Sequence, residues 1–204
     1  FPEIARLYYA RYAPERMFRT EPFSMGTDTY FCEPMIGAPH YLSMDNGGHL
    51  HHNSMDTIEN VDPRTLRELA FLNAAYLYFM AGAGVEDLPW IVDLAFARGM
   101  EVIAGKRAAA AARLRDAKNG TEFGQALAEG AESIEYHSNQ QKLALTAIER
   151  LVPAAGKTRA RAFLAFYLRN IDEYGRMALR QFRDMAAERA KSAGVTAVPF
   201  VRLE

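Results

Sequence analysis

Phe163-Leu164-Ala165-Phe166-Tyr167-Leu168-Arg169-Asn170-Ile171-Asp172-Glu173-Tyr174-Gly175-Arg176-Met177-Ala178-Leu179-Arg180-Gln181-Phe182-Arg183-Asp184-Met185 is the stretch whose periodicity decides the fold. Phe163, Tyr167, Tyr174, Ala178, Phe182 and Met185 recur at three-, four- and seven-residue steps, the repeat of one helix face. The pattern predicts a helix from Lys157 to Ser192 with those residues inward, stopped by Gly194. Arg159, Arg161, Arg169, Arg176, Arg180 and Arg183 give it a basic edge; acids nearby offset the charge, so a solvated face is the reading.

Two more long helices precede it. One opens at Thr121 with Glu122 and reaches about Val152 before Pro153, with Leu127, Ala131, Ile134, Leu145, Ile148 and Val152 on its buried side. The other is capped by Asp87, carries Trp90, Ile91, Leu94, Val102 and Ile103, runs through the alanine block Ala108 to Ala112 and stops near Asn119-Gly120. Gly99 and Gly105 are soft points in it, each costing about 1 kcal/mol relative to alanine unless close packing needs them. Short turns between three long helices favour antiparallel neighbours. The tail from Val195 to Val201 is extended and apolar, a strand or strap.

Residues 1–85 have a different character and read as mixed α/β, which sets the expected division at 1–85 and 86–204. Ile4, Leu7, Tyr8 and Tyr12 mark a short helix ending before Pro14. Met17 to Phe23 alternates weakly as an edge strand, and a short helix between Asp28 and Gly37 is interrupted by Pro34. Pro39 to Met44 is the best strand candidate, turned sharply by Asp45-Asn46-Gly47-Gly48. Pro63 opens a further helix with Leu66, Leu69, Ala70, Asn73, Leu77 and Met80 in phase, ended by Gly82 and Gly84. The fold class expected from this is α/β and helix-dominated.

The bulk composition narrows the function. The 204 residues are 50% hydrophobic and 24% charged with a net charge of −1, so no basic excess points to nucleic acid or an anionic membrane. No apolar run approaches the roughly 20 residues of a membrane span. One cysteine, Cys32, excludes an internal disulfide framework and a cysteine-rich zinc site, and its apolar neighbours make it a packing residue. The chain opens Phe1-Pro2-Glu3 without an initiator methionine or signal peptide, so the expectation is that the true N-terminus lies upstream.

The chemistry concentrates in His49-Leu50-His51-His52-Asn53-Ser54-Met55-Asp56-Thr57, which with His40 holds four of the five histidines. Neutral imidazole is the commonest ligand for zinc and its neighbours. Adjacent histidines in an irregular segment point different ways, so at most one of His51 and His52 binds a given ion. On composition alone the cluster reads either as a metal or catalytic site or as a solvated polar loop, since it lacks a full spacing such as His-Glu-x-x-His. His137, alone in a long helix, reads as structural.

Gly26-Thr27-Asp28 with Tyr30-Phe31, then Ile36-Gly37-Ala38-Pro39, then His52-Asn53-Ser54-Met55-Asp56-Thr57, then Val61-Asp62-Pro63 with Leu66 form an ordered series. Over about residues 24 to 80 it resembles the C-terminal part of the catalytic domain of co-catalytic zinc aminopeptidases, the superfamily of glutamate carboxypeptidase and the transferrin receptor. The resemblance implies the C-terminal piece of an α/β/α zinc-exopeptidase domain, which the three-helix bundle read from periodicity follows without a counterpart in the family pattern, and a metal-activated hydroxide that attacks the scissile carbonyl of a peptide. It implies that His52 is the last zinc ligand, ahead of x-x-x-Asp-Thr. His51 takes the place where many relatives have tyrosine and is the implied catalytic donor to the oxyanion. Thr27-Asp28-Thr29 stands where relatives have Ser-Asp-His, so Asp28 is read as loop bracing.

The family also uses a His-x-Asp that bridges two metals, a Glu-Glu pair and a further acidic ligand; neither His-x-Asp nor Glu-Glu occurs in this sequence. The resemblance therefore implies a C-terminal piece of a longer peptidase, with two zinc ions per complete site and the remaining ligands in an upstream part of the same domain. By resemblance alone it favours a secreted or periplasmic location. The rival implication is a non-catalytic relative whose helical region mediates homodimerisation, as in the transferrin receptor.

Overall fold

A computed structural model describes residues 1–19, 54, 55 and 57–194. The chain divides into two compact units, Phe1–Gly82 and Ala83–Glu204. The described residues are helix-dominated and contain no strand.

The second unit is a three-helix bundle of α3 (Leu88–Asp116), α4 (Gly120–Ala147) and α5 (Lys157–Ala193), the first two helices of the chain being described below. Its topology can be read from residue pairs. Asp93 with Tyr167, Arg107 with Gln181 and Arg115 with Arg189 lie 74 residues apart, a constant offset that makes α3 and α5 parallel. Ser138 meets Gly175, Lys142 meets Asp172 and Gly130 meets Phe182; one number rises as the other falls, so α4 runs antiparallel to α5. Gly99 beside Gln141 and Gly130 beside Ala110 set α3 and α4 antiparallel in the same way. The antiparallel sequence neighbours expected from the short turns, α3 with α4 and α4 with α5, are therefore present.

The helix ends follow local chemistry. Asp87 is the N-cap residue of α3, with Pro89 in the first turn, but its carboxylate turns back to accept the Gly84 amide at 2.9 Å. Asn119, not Thr121, caps α4: its Oδ1 accepts the Glu122 amide at 2.9 Å while the Glu122 carboxylate accepts the Lys118 amide at 2.8 Å. A 3-10 turn, Ile148–Leu151, continues α4 toward Pro153. Gly194 closes α5 in the left-handed region, φ +61°, with its N–H directed to the Ala190 and Lys191 carbonyls.

Val92, Ile103, Ile134, Ala160, Ile171 and Phe182 are fully buried at the centre of the bundle. The inner face of α5 lies as its periodicity requires for Ala178 and Phe182, with Phe163, Tyr167 and Tyr174 partly buried against the core. Met185 is the exception at 40% exposure; Ala186, one residue on, takes the inward place, because 3.6 residues per turn carries the stripe past 185. In α3 the buried residues are Leu88, Val92, Gly99, Ile103, Ala110 and Leu114, and Trp90 is 44% exposed. Two residues from Val92 along a helix is more than half a turn, so Trp90 and Val92 cannot share a face.

In the first unit, α1 (Pro2–Tyr12) ends before Pro14 as its spacing predicts, and α2 (Pro63–Gly82) starts at its proline. The α/β organisation expected for residues 1–85 is not what the described residues show; they are helical. The strand expected over 39–44, the Asp28–Gly37 helix and most of 17–23 lie outside the described residues, as does the tail 195–201. The inner face of α2 also differs from expectation. Glu68 and Leu72 are buried, whereas Leu66 and Leu77 are 60% and 61% exposed. Apolar side chains occur on several sides of α2, so their periodicity alone does not select one face.

Candidate functional site

The candidate ligand His52, the candidate catalytic His51, and His40, His49, Asp28 and Cys32 all lie outside the described residues. What the structure places is the segment leading from the histidines into α2. A 3-10 turn, Ile58–Asn60, precedes Asp62. Asn60 Nδ2 donates to the Met55 carbonyl at 2.8 Å, and the Thr57 amide donates to the same carbonyl at 2.9 Å, so the turn is tied back on itself.

Asp62 then caps α2. Its Oδ1 accepts the Arg64 amide at 3.0 Å; its Oδ2 accepts the Thr65 hydroxyl at 2.6 Å and the Thr65 amide at 3.3 Å. A side-chain oxygen at this position satisfies amides that the helix leaves free. Arg16 adds a fourth bond, Nη2 to Oδ2 at 3.1 Å. The hydrogen bonds from Thr65, then Arg16, then the Arg64 amide hold the Asp62 carboxyl far below the ordinary carboxylate range.

Beneath this cap lies Glu68, a carboxylate with 4% of its side chain exposed. Arg64 Nε donates to Oε1 at 2.8 Å, and Arg16 Nε approaches Oε2 at 3.5 Å. The Arg64 guanidinium also pairs with Glu15, whose own carboxyl is lowered by backbone and Arg64 hydrogen bonds. The charges alternate along the chain of contacts Glu15, Arg64, Glu68, Arg16, Asp62. A buried carboxylate is tolerated only when cations and donors replace its water in this way. Burial first, and the nearby Glu68 charge second, raise the Tyr9 phenol beside the cluster.

Sequence reasoning missed this cluster. Arg64 and Glu68 stand four apart on a predicted helix, a spacing that brings side chains together. Nothing in that spacing distinguishes a buried pair from a solvated one, and Arg16 is 52 positions before Glu68. His137 is half-buried on α4, its ring edge-on to Tyr136 at 5.2 Å. Burial, then the Lys106 charge, lowers its imidazole below the ordinary 6.5. Among the described residues no group of three or more His, Cys, Asp or Glu is disposed to hold a metal ion. No helix among them is long and apolar enough on its own to cross a membrane. No family model, curated protein or solved structure matches the chain.

Proposed function

We propose that the chain carries the last-ligand corner of a two-zinc exopeptidase site, on the C-terminal part of an α/β/α peptidase domain. The observation that carries this reading is the ordered motif series ending His52-Asn53-Ser54-Met55-Asp56-Thr57 and Val61-Asp62-Pro63. The donor chemistry fits zinc at one point: imidazole nitrogen is a preferred zinc ligand, and His52 occupies the ligand position of the series. One imidazole cannot hold a co-catalytic pair, so the other ligands and the glutamate base belong to the upstream part of the domain. When bound, zinc polarises the scissile carbonyl and activates water.

In this reading His52 binds and orients one metal, and His51 donates a hydrogen bond to the carbonyl oxygen as negative charge develops there. The substrate is a peptide with a free N-terminus. The test is metal analysis of the intact protein together with hydrolysis of aminoacyl-nitroanilides. Zinc near two per chain, with activity abolished in His52→Ala, is the expected result; full activity in that variant overturns it. A loss confined to kcat in His51→Ala assigns the oxyanion role, and an unchanged kcat removes it.

A further inference from the structure

We propose that Asn119-Gly120, in the turn between α3 and α4, is a modification site: the Gly120 amide deamidates Asn119 through a cyclic imide, and Glu122 holds that reaction in check. Nothing in this chemistry depends on the peptidase reading. Attack on an asparagine side chain by the amide of the next residue needs an accessible carboxamide, an unengaged amide, and no bulky side chain beside it. Among the described residues Asn119 alone meets all three conditions. It is exposed and is followed by glycine, which has no Cβ and the widest backbone freedom. The Gly120 N–H, in the first turn of α4, has no acceptor among the described residues. Asn60, by contrast, precedes the β-branched Val61, whose amide is bonded to the Ile58 carbonyl at 3.2 Å. Asn73, Asn139 and Asn170 lie inside α2, α4 and α5, where the next amide is engaged in the helix ladder.

The reaction needs no reagent but water. The Gly120 nitrogen bonds to Asn119 Cγ and loses its proton to solvent; the Cγ–Nδ2 bond breaks, and Nδ2 takes up a proton and leaves as ammonia. Water then opens the imide at one of its two carbonyls. The product is aspartate or, where the main chain is rerouted through Cγ, isoaspartate. The folded turn opposes the first step. Asn119 has ψ 172°, which keeps the Gly120 nitrogen out of the plane of a ring closed through Cβ and Cγ. The side chain is held there at both ends: Oδ1 accepts the Glu122 amide at 2.9 Å, and Nδ2 donates to Glu122 Oε1 at 2.9 Å. Glu122 Oε2 accepts the Lys118 amide at 2.8 Å, so one carboxylate braces both the leaving nitrogen and the chain just before it. Either product alters the cap. Aspartate keeps an oxygen for the Glu122 amide but loses the Nδ2 donor and sets a second carboxylate against Glu122. Isoaspartate adds a methylene to the main chain and removes the cap geometry at the start of α4.

The test follows residue 119 in the full chain by peptide mapping with mass spectrometry. Mapping separates it from the other Asn-Gly pair, Asn46-Gly47, and chromatography resolves aspartyl from isoaspartyl peptides. Wild type, Glu122→Ala, Glu122→Gln and Gly120→Ala are incubated at mildly alkaline pH, folded and in urea, with circular dichroism reporting the fold. Wild type in urea is expected to deamidate at 119 several-fold faster than folded wild type, and Gly120→Ala in urea to lose most of that rate. Folded Glu122→Ala is expected to react several-fold faster than folded wild type. Glu122→Gln, which keeps an acceptor for Nδ2, is expected to stay slow. No product at 119 in urea, or equal rates in folded and unfolded wild type, overturns the proposal. So does an unchanged rate in folded Glu122→Ala. If Glu122→Ala does not keep the fold, Glu122→Gln decides: a rate as slow as that of folded wild type supports the guarding contact, and a fast one overturns it.

Discussion

Gly130 and Gly105 lie in helices of the same bundle, yet alanine has opposite consequences at the two positions. A Cβ on Gly130 falls 2.6 Å from Phe182 Cζ and 2.9 Å from Ala110 Cβ, whereas one on Gly105 meets nothing within 4 Å. Phe182 is fully buried and cannot swing away. Gly130→Ala is expected to destabilise the protein by about 1–3 kcal/mol through overpacking. Gly105→Ala, gaining helix propensity alone, is expected to stabilise by about 0.8–1 kcal/mol. Urea unfolding checks both; equal shifts of one sign would contradict the packing around Gly130. Gly105 was visible as a soft point and Gly130 was not singled out, because which glycine faces a neighbouring helix depends on residues 20 and 52 positions away.

At the scale of an element, α4 shows how little of a helix its own ends need from the rest of the fold. Asn119 and Glu122 exchange bonds across the first turn, with Asn119 Nδ2 also donating to Glu122 Oε1 at 2.9 Å. Asn119→Ala is expected to cost about 1 kcal/mol, and Asn119→Ser much less; thermal unfolding of the two side by side is the measurement. That the helix begins here was legible to within two residues, because cap chemistry is local. The choice of Asn119 over Thr121 was not, since either could serve and only the registered first turn shows which amide is met. Leu66 and Leu77 in α2 are the contrasting case: their helix was legible and their burial was not.

For the whole molecule, the second unit holds its own core, from Leu88 and Val92 through Ile134 to Phe182 and Ala186. Residues 83–194 expressed alone are expected to unfold cooperatively as a helical unit, by circular dichroism in urea; a gradual, non-cooperative loss of signal would contradict this. Acid should weaken the protein in two ways. The His137 imidazole is lowered, so the unfolded state binds the proton more readily; its contribution is complete above 6.5 and is lost as pH falls through its depressed value. The Asp62 and Glu15 carboxyls are also lowered, and their contribution goes at still lower pH, below the ordinary carboxylate range. Urea midpoints at pH 7 and pH 5 should therefore differ less in His137→Gln than in the wild type. An unchanged difference would remove His137 as the group responsible.

The amino-acid sequence determined the helices, their short connections and their ends, because 3.6-residue periodicity, N-cap side chains, Pro63, Pro153 and Gly194 act within a turn or two of where they stand. It also supplied the motif series that singles out His52 and His51. Tertiary structure decided which side of each helix is buried, that α3 and α5 run parallel, and that Glu68 is an interior carboxylate bound by Arg64 and Arg16. Those outcomes depend on side chains brought together from distant positions, where burial changes the energy of a charge or an added methyl by more than local propensity can. The Asp62 cap lies where the two meet: its place before Pro63 was plain in the sequence, and its tie to Arg16 exists only in the folded chain.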